Sequence, residues 1–138
     1  MKRKLYASAL MVLVIAGLSG GASPPSYVPR TPACEANGIL RSVINRFATY
    51  TPAVVGYPVA IRNLSHIREN RLELRSQYWP VERRYCHAQV VTSDGRPRDL
   101  WYLIESTFGF AGIGSSVTFC VSGLDPWYVN GTNCRSVR

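Results

Sequence analysis

After residue 4 the chain contains no lysine, and every later basic side chain apart from two histidines is an arginine. Read as selection, that favours the planar guanidinium fork, which meets carboxylates and phosphates bidentately. Read as codon usage in a GC-rich genome it carries no function, and the second reading is the plainer one. The histidines are His66 and His87 alone, and no HxH, HExxH or CxxC spacing occurs. Zinc chemistry and dithiol exchange therefore have no motif to rest on. No metal and no cofactor is expected. A bilayer-crossing segment of about twenty apolar residues is missing too.

What the N-terminus does hold is Lys2, Arg3 and Lys4, then an apolar run from Ala9 to Leu18, then the small residues Gly20, Gly21 and Ala22. That is the three-part pattern of a signal peptide over residues 1–22. No cysteine lies near the expected cleavage point, which argues against a lipid-anchored lipoprotein, and no transmembrane anchor is expected after cleavage. The whole chain of 138 residues carries +8. Three of those charges leave with the signal, and the remaining 13 Arg and 8 acidic residues give +5. Such a charge favours anionic surfaces, including envelope polymers and lipid headgroups. An exported chain rarely meets nucleic acid, so none is expected as a partner. The location expected is periplasmic or secreted.

About 116 residues remain, enough for one domain. A domain this small buries less of its surface than a large one, so covalent staples help it. Four cysteines survive cleavage: Cys34, Cys86, Cys120 and Cys134. An even count in a small exported domain argues for two disulfides, with three pairings open.

Residues 23–33, reading SPPSYVPRTPA, hold four prolines and predict an extended, poorly ordered tether. From Cys34 to residue 138 the pattern is that of a single folded domain. Leu40, Val43, Ile44 and Phe47 fall at helical spacing, with Arg41, Ser42, Asn45 and Arg46 on the other side. The helix is predicted over about Ala33 to Thr49. Thr31-Pro32 would start it, Glu35 would sit near the positive end of its dipole, and Thr51-Pro52 would end it. The rest reads as strands. Val54 to Arg62 is rich in β-branched residues, with Gly56 and Pro58 marking an edge or bulge. Arg68 to Tyr78 is ambiguous between a half-buried strand and a helical turn. RYCHAQVV and LWYLIES flank Asp94-Gly95, a strong hairpin signal. SSVTFCVS and WYVNG flank Gly123 to Pro126 as a second hairpin. On the Cys86 strand, Cys86, Ala88 and Val90 share one face and His87 and Gln89 the other. The fold class is α+β: one N-terminal helix packed on a curved antiparallel sheet of about four strands, held by two disulfides.

A leading helix followed by strands carrying RRYCHAQVVTSDGRPRDLWYLI and a second hairpin resembles the cystatin-like or NTF2-like architecture, over roughly residues 34–130. The stretch is also similar to small exported proteins of alphaproteobacteria. The QxVxG signature of a cystatin inhibitor is absent, so no inhibitory residues carry over. These folds host enzymes and binding modules alike.

Cys86 beside His87 is the first candidate for chemistry. Neighbours on a strand point to opposite faces, so the imidazole is badly placed to deprotonate that thiol. A disulfide is the expected role. The favoured pairs are Cys120–Cys134, closing a short terminal loop, and Cys34–Cys86, pinning the helix start to the strand it covers. His66 is expected in a solvated loop and His87 on a solvent face. Gly109 to Ser116 has the look of a phosphate loop but lacks its Lys, and is expected to be a flexible loop offering Phe110 and Ile113 as contacts. Arg83, Arg84, Arg96 and Arg98 gather around the first hairpin in sequence. With Trp101, Trp127 and Tyr128 they form the candidate binding face, since Trp, Tyr and Arg are the favoured interface anchors. No catalytic residue is assigned. The leading expectation is an exported, non-catalytic binding or interaction domain of the bacterial cell envelope, its partner an envelope protein or an anionic polymer. The alternatives are an inhibitor of an envelope hydrolase, or a small NTF2-like enzyme with Glu105 and His87 in a pocket between helix and sheet.

Overall fold

The computed structural model describes residues 27–106 and 114–138. The expected signal peptide, the start of the proline-rich stretch, and Phe110 and Ile113 lie outside the described residues. One helix, α1 (Asn37–Val54), precedes four strands: β1 (Ile61–Glu73), β2 (Arg83–Thr92), β3 (Pro97–Ser106) and β4 (Ser115–Val121). The strands form one antiparallel sheet in the order β1-β2-β3-β4. A short 3-10 segment, Thr132–Val137, closes the chain.

Helix α1 lies four to five residues later than its pattern implies. Thr31 does not cap it. The first helical amides bond instead to the carbonyl of Ala36, Ile39 N at 2.9 Å and Leu40 N at 3.1 Å, and Glu35 falls before the first turn. At the other end Pro52 is accommodated because it stands in the last turn, where its missing N–H removes a single helical bond. The Thr51 carbonyl still accepts from Val55 N at 2.8 Å. Thr51 is itself fully buried: its hydroxyl donates to Val59 O at 2.9 Å and accepts from Val59 N at 3.0 Å. That exchange folds residues 55–60 back under the helix end, so the β-branched stretch from Val54 is a connector and β1 opens only at Ile61. The ambiguous stretch after Arg68 continues β1 as far as Glu73.

Val43 and Phe47 are fully buried, with Ile39 and Thr51 beside them and Leu40 and Ile44 half-buried. They meet the inward side chains of the sheet: Cys86, Ala88 and Val90 from β2, Leu100, Tyr102 and Ile104 from β3, Val117 and Val121 from β4. Burial pushes the Tyr102 phenol well above its usual pKa range, and its hydroxyl donates to Cys34 O at 2.8 Å. Cys34–Cys86 crosses between the chain just ahead of α1 and β2, and Cys120–Cys134 ties the C-terminal segment to β4; no cysteine is free.

The second hairpin does not form. After Val121 the chain turns at Gly123, whose φ of 81° lies in the left-handed region, and WYVNG runs on as a turn into the 3-10 segment. Asp125 drives this, its carboxylate accepting from Val129 N at 3.0 Å and Asn130 N at 2.9 Å. The tail then folds over the second face of the sheet, where Cys134 and Val137 pack with Tyr85, Leu103, Cys120 and Trp101. Both faces of the sheet are thus covered, one by α1 and the other by the tail.

Candidate functional site

The outward side chains of β2 and β3 build the face that the tail partly covers. Register sets Arg83 opposite Glu105, Tyr85 opposite Leu103, His87 opposite Trp101 and Gln89 opposite Asp99. Arg83 Nε donates to Glu105 Oε1 at 2.8 Å, and the same guanidinium lies 5.7 Å from the Trp79 ring centre. Two more guanidiniums lie over aromatic rings of this face, Arg71 over Tyr85 at 4.0 Å and Arg138 over Trp101 at 4.5 Å. At the open end of the β2–β3 hairpin a cleft of about 430 Å³ is lined by Glu73, Leu74, Trp79, Arg83 and Tyr85. Trp79 at its mouth is 63% exposed and the neighbouring Tyr78 78%.

His87 departs from its expected solvent position. It does point away from α1, as alternation requires, but it lies against Trp101 and is only 4% exposed. Its ring centre is 4.2 Å from that of Trp101. Nε2–H donates to Asp99 Oδ1 at 2.7 Å, and Nδ1 is buried without a hydrogen-bond partner. His66 is exposed as expected, but at a bulge of β1 with φ of 52° rather than in a loop. Cys86 lies on the opposite face and is consumed in its disulfide, so the adjacent pair cannot act together. Glu105 and His87 both face away from α1, and the space between helix and sheet is filled by the apolar cluster. The polar pocket that an NTF2-like enzyme would need there is not formed by these two residues. Among the described residues no three His, Cys, Asp or Glu side chains converge to hold a metal ion.

The four hairpin arginines separate in space. Arg83 and Val90, the register partner of Arg98, stand seven positions apart on β2, about 23 Å along a strand. Arg83 points to the outer face. Arg84 is buried on the inner side, paired with Glu69 and donating to Thr31 Oγ1 and Thr31 O at 3.3 Å each. Arg98 is held at the turn by Asp94 at 2.8 Å and by Thr92 Oγ1 at 3.2 Å. The Thr92 hydroxyl, and after it Arg98, hold the Asp94 carboxyl well below the usual range. Arg96 is exposed at the turn. Trp101 lies mid-strand under Arg138, and Trp127 and Tyr128 stand on the loop after β4. Grouping by residue type and sequence proximity thus gathered residues that occupy five places.

A buried carboxylate near the cleft carried no signal in the sequence. Glu82, just before β2, is fully buried. It accepts from Thr31 N at 2.9 Å, from Thr31 Oγ1 at 2.6 Å and from the Tyr27 hydroxyl. Burial works to raise its pKa, but the bonds from the Thr31 hydroxyl, from Tyr27 and from the backbone of Thr31 and Arg30 outweigh it and hold the carboxyl at about 2. The described part of the proline-rich stretch is therefore docked against the sheet. An acidic residue beside Arg83 and Arg84 reads as surface charge, and nothing in its neighbours marks it as the anchor of a segment fifty residues away.

No protein-family model matches this chain, and no curated protein and no solved structure matches it either.

Proposed function

We propose that this protein is an exported, non-catalytic binding domain of the bacterial cell envelope, periplasmic or secreted, that engages an envelope protein or an anionic polymer at the cleft beside Trp79 and Arg83. The observation that carries the reading is Trp79 itself, a large ring left mostly in water, with a guanidinium over it, at the mouth of the largest of the clefts described. Trp and Arg concentrate binding energy where they can be desolvated together. Arg83 is held in place by Glu105, so a ligand carboxylate or phosphate would meet a donor already oriented. Two disulfides fit an oxidising compartment. Among the described residues no helix is long and apolar enough to cross a membrane.

Affinity capture from envelope extract with the oxidised protein tests the reading. The wild type should retain a discrete protein or polymer, and Trp79→Ala and Arg83→Ala should each weaken retention by on the order of tenfold. Equal retention by the three proteins, or none by any, would contradict it.

A further inference from the structure

The loop between Asp125 and Gly131 has features that the cleft does not explain. Trp127, Tyr128 and Val129 are consecutive and 75%, 65% and 75% exposed. Alternation would have hidden at least one of them, and here none is hidden. The loop is nevertheless tightly held. Tyr128 N bonds to Asp125 O at 3.2 Å and Gly131 N to Tyr128 O at 2.8 Å. The Asp125 carboxylate takes the amides of Val129 and Asn130, and Asn130 Nδ2 donates to Phe119 O at 3.3 Å. Cys120–Cys134 closes the base. Tyr128 sits at φ 52°, a left-handed conformation that a tyrosine keeps only where its surroundings impose it. All of these bonds use the backbone, Asp125, Asn130 or the disulfide, so the three apolar side chains are presented by a frame they do not help to build.

The charge of the C-terminal stretch is mostly of one sign. From Gly114 to Arg138 the only acidic residue is Asp125, whose two oxygens are turned onto the loop's own amides. Arg135 and Arg138 follow in the tail, with Arg135 packed beside Gly131. Arg46 lines a groove of about 220 Å³ together with Val129 and Asn130.

We infer that the Trp127–Tyr128–Val129 tip docks this protein on an anionic lipid bilayer, the three side chains entering the headgroup layer while the surrounding arginines meet lipid phosphates. Trp and Tyr place an apolar ring and a polar atom at the depth where a bilayer offers both. Basic groups near an anionic leaflet add an attraction that salt screens. A tip of three residues is small beside the ~800 Å² per partner of a stable protein interface, whereas a bilayer requires no matching concavity. The protein thereby lies on the membrane without spanning it. The inference stands on residues separate from the cleft, so either can fail alone.

The test uses protein purified from the envelope after export, with its disulfides intact. Co-sedimentation is measured with vesicles of phosphatidylglycerol and phosphatidylcholine, and with vesicles of phosphatidylcholine alone. Binding to the anionic vesicles is expected, weakening with added salt and falling by on the order of tenfold in Trp127→Ser with Val129→Ser. Trp127→Phe should retain most of it, and Trp79→Ala should bind as the wild type does. Brominated lipids should quench the wild type's fluorescence more than that of Trp127→Phe. Absence of vesicle binding overturns the inference, as does binding indifferent to the tip variants or lost in Trp79→Ala. So does a photo-crosslink from position 127 that captures only protein, whether an envelope hydrolase or a second copy of this chain.

Discussion

Glu82 stays ionised although it is buried, because Thr31 and Tyr27 donate to it. Its folded pKa, about 2, lies below the ordinary 4.5. The docking of residues 27–33 is therefore fully stabilised above about pH 4.5 and is lost as the pH falls toward 2. The Thr31 amide resonance should follow that titration, and Glu82→Gln should displace it at neutral pH; an amide shift that ignores both changes would rule out the latch. His87 shows what alternation reveals and what it hides. The period of two put its ring on the face away from Cys86. Alternation says nothing of a chain segment fifty residues later that returns to cover that face. His87 packs on Trp101, and Trp101 in turn packs with the tail, whose course depends on Asp125 capturing two amides where a second hairpin was expected.

The helix and its sheet were largely legible because their signals are local. Val43 and Phe47 stand at helical spacing, and Asp94-Gly95 marks its turn with Gly95 at φ 76°. The ends of α1 were not legible, since both are set by distant partners: Glu82 recruits Thr31 away from the helix start, and Val59 recruits Thr51 at its end. Thr51→Val keeps the shape and removes both bonds to Val59, leaving a buried N–H and C=O unpaired. It should cost about 2 kcal/mol in urea unfolding, while Phe47→Ala should cost about 3–5 kcal/mol. The sheet edges differ in how they are protected. On β4 the outward carbonyls of Val117 and Phe119 are taken by Arg46 at 2.6 Å and Asn130 at 3.3 Å. On β1 the register shifts after Ile61, Ser65 and Glu69 break any long flat template. Arg46→Ala with Asn130→Ala should therefore raise self-association in sedimentation velocity; a variant that stays monomeric at every concentration would mean that these two side chains are not what guards the edge.

The two disulfides divide the work between the two faces of the sheet. Cys34–Cys86 spans 52 residues and fixes the helical layer; Cys120–Cys134 spans 14 and fixes the tail. In the chain-entropy model they stabilise by about 4 and about 3 kcal/mol respectively. Both pairings could be read from the sequence, because one closes a short terminal loop and the other joins a helix start to the strand beneath it. The candidate binding residues were legible only as types. They were chosen by residue type and sequence proximity, but the sheet register sends Arg83 and Arg98 to opposite ends of a hairpin, and internal carboxylates engage Arg83, Arg84 and Arg98. Trp79, and Trp127 to Val129 on the loop after β4, remain exposed. This reading of the molecule depends on an oxidised framework acquired outside the cytoplasm. Its most direct test is peptide mapping by mass spectrometry of the protein taken from the envelope fraction, alkylated before digestion. The account predicts Cys34–Cys86 and Cys120–Cys134 as the linked peptides with no alkylated cysteine; free thiols, or Cys34 joined to Cys120 or Cys134, would contradict it.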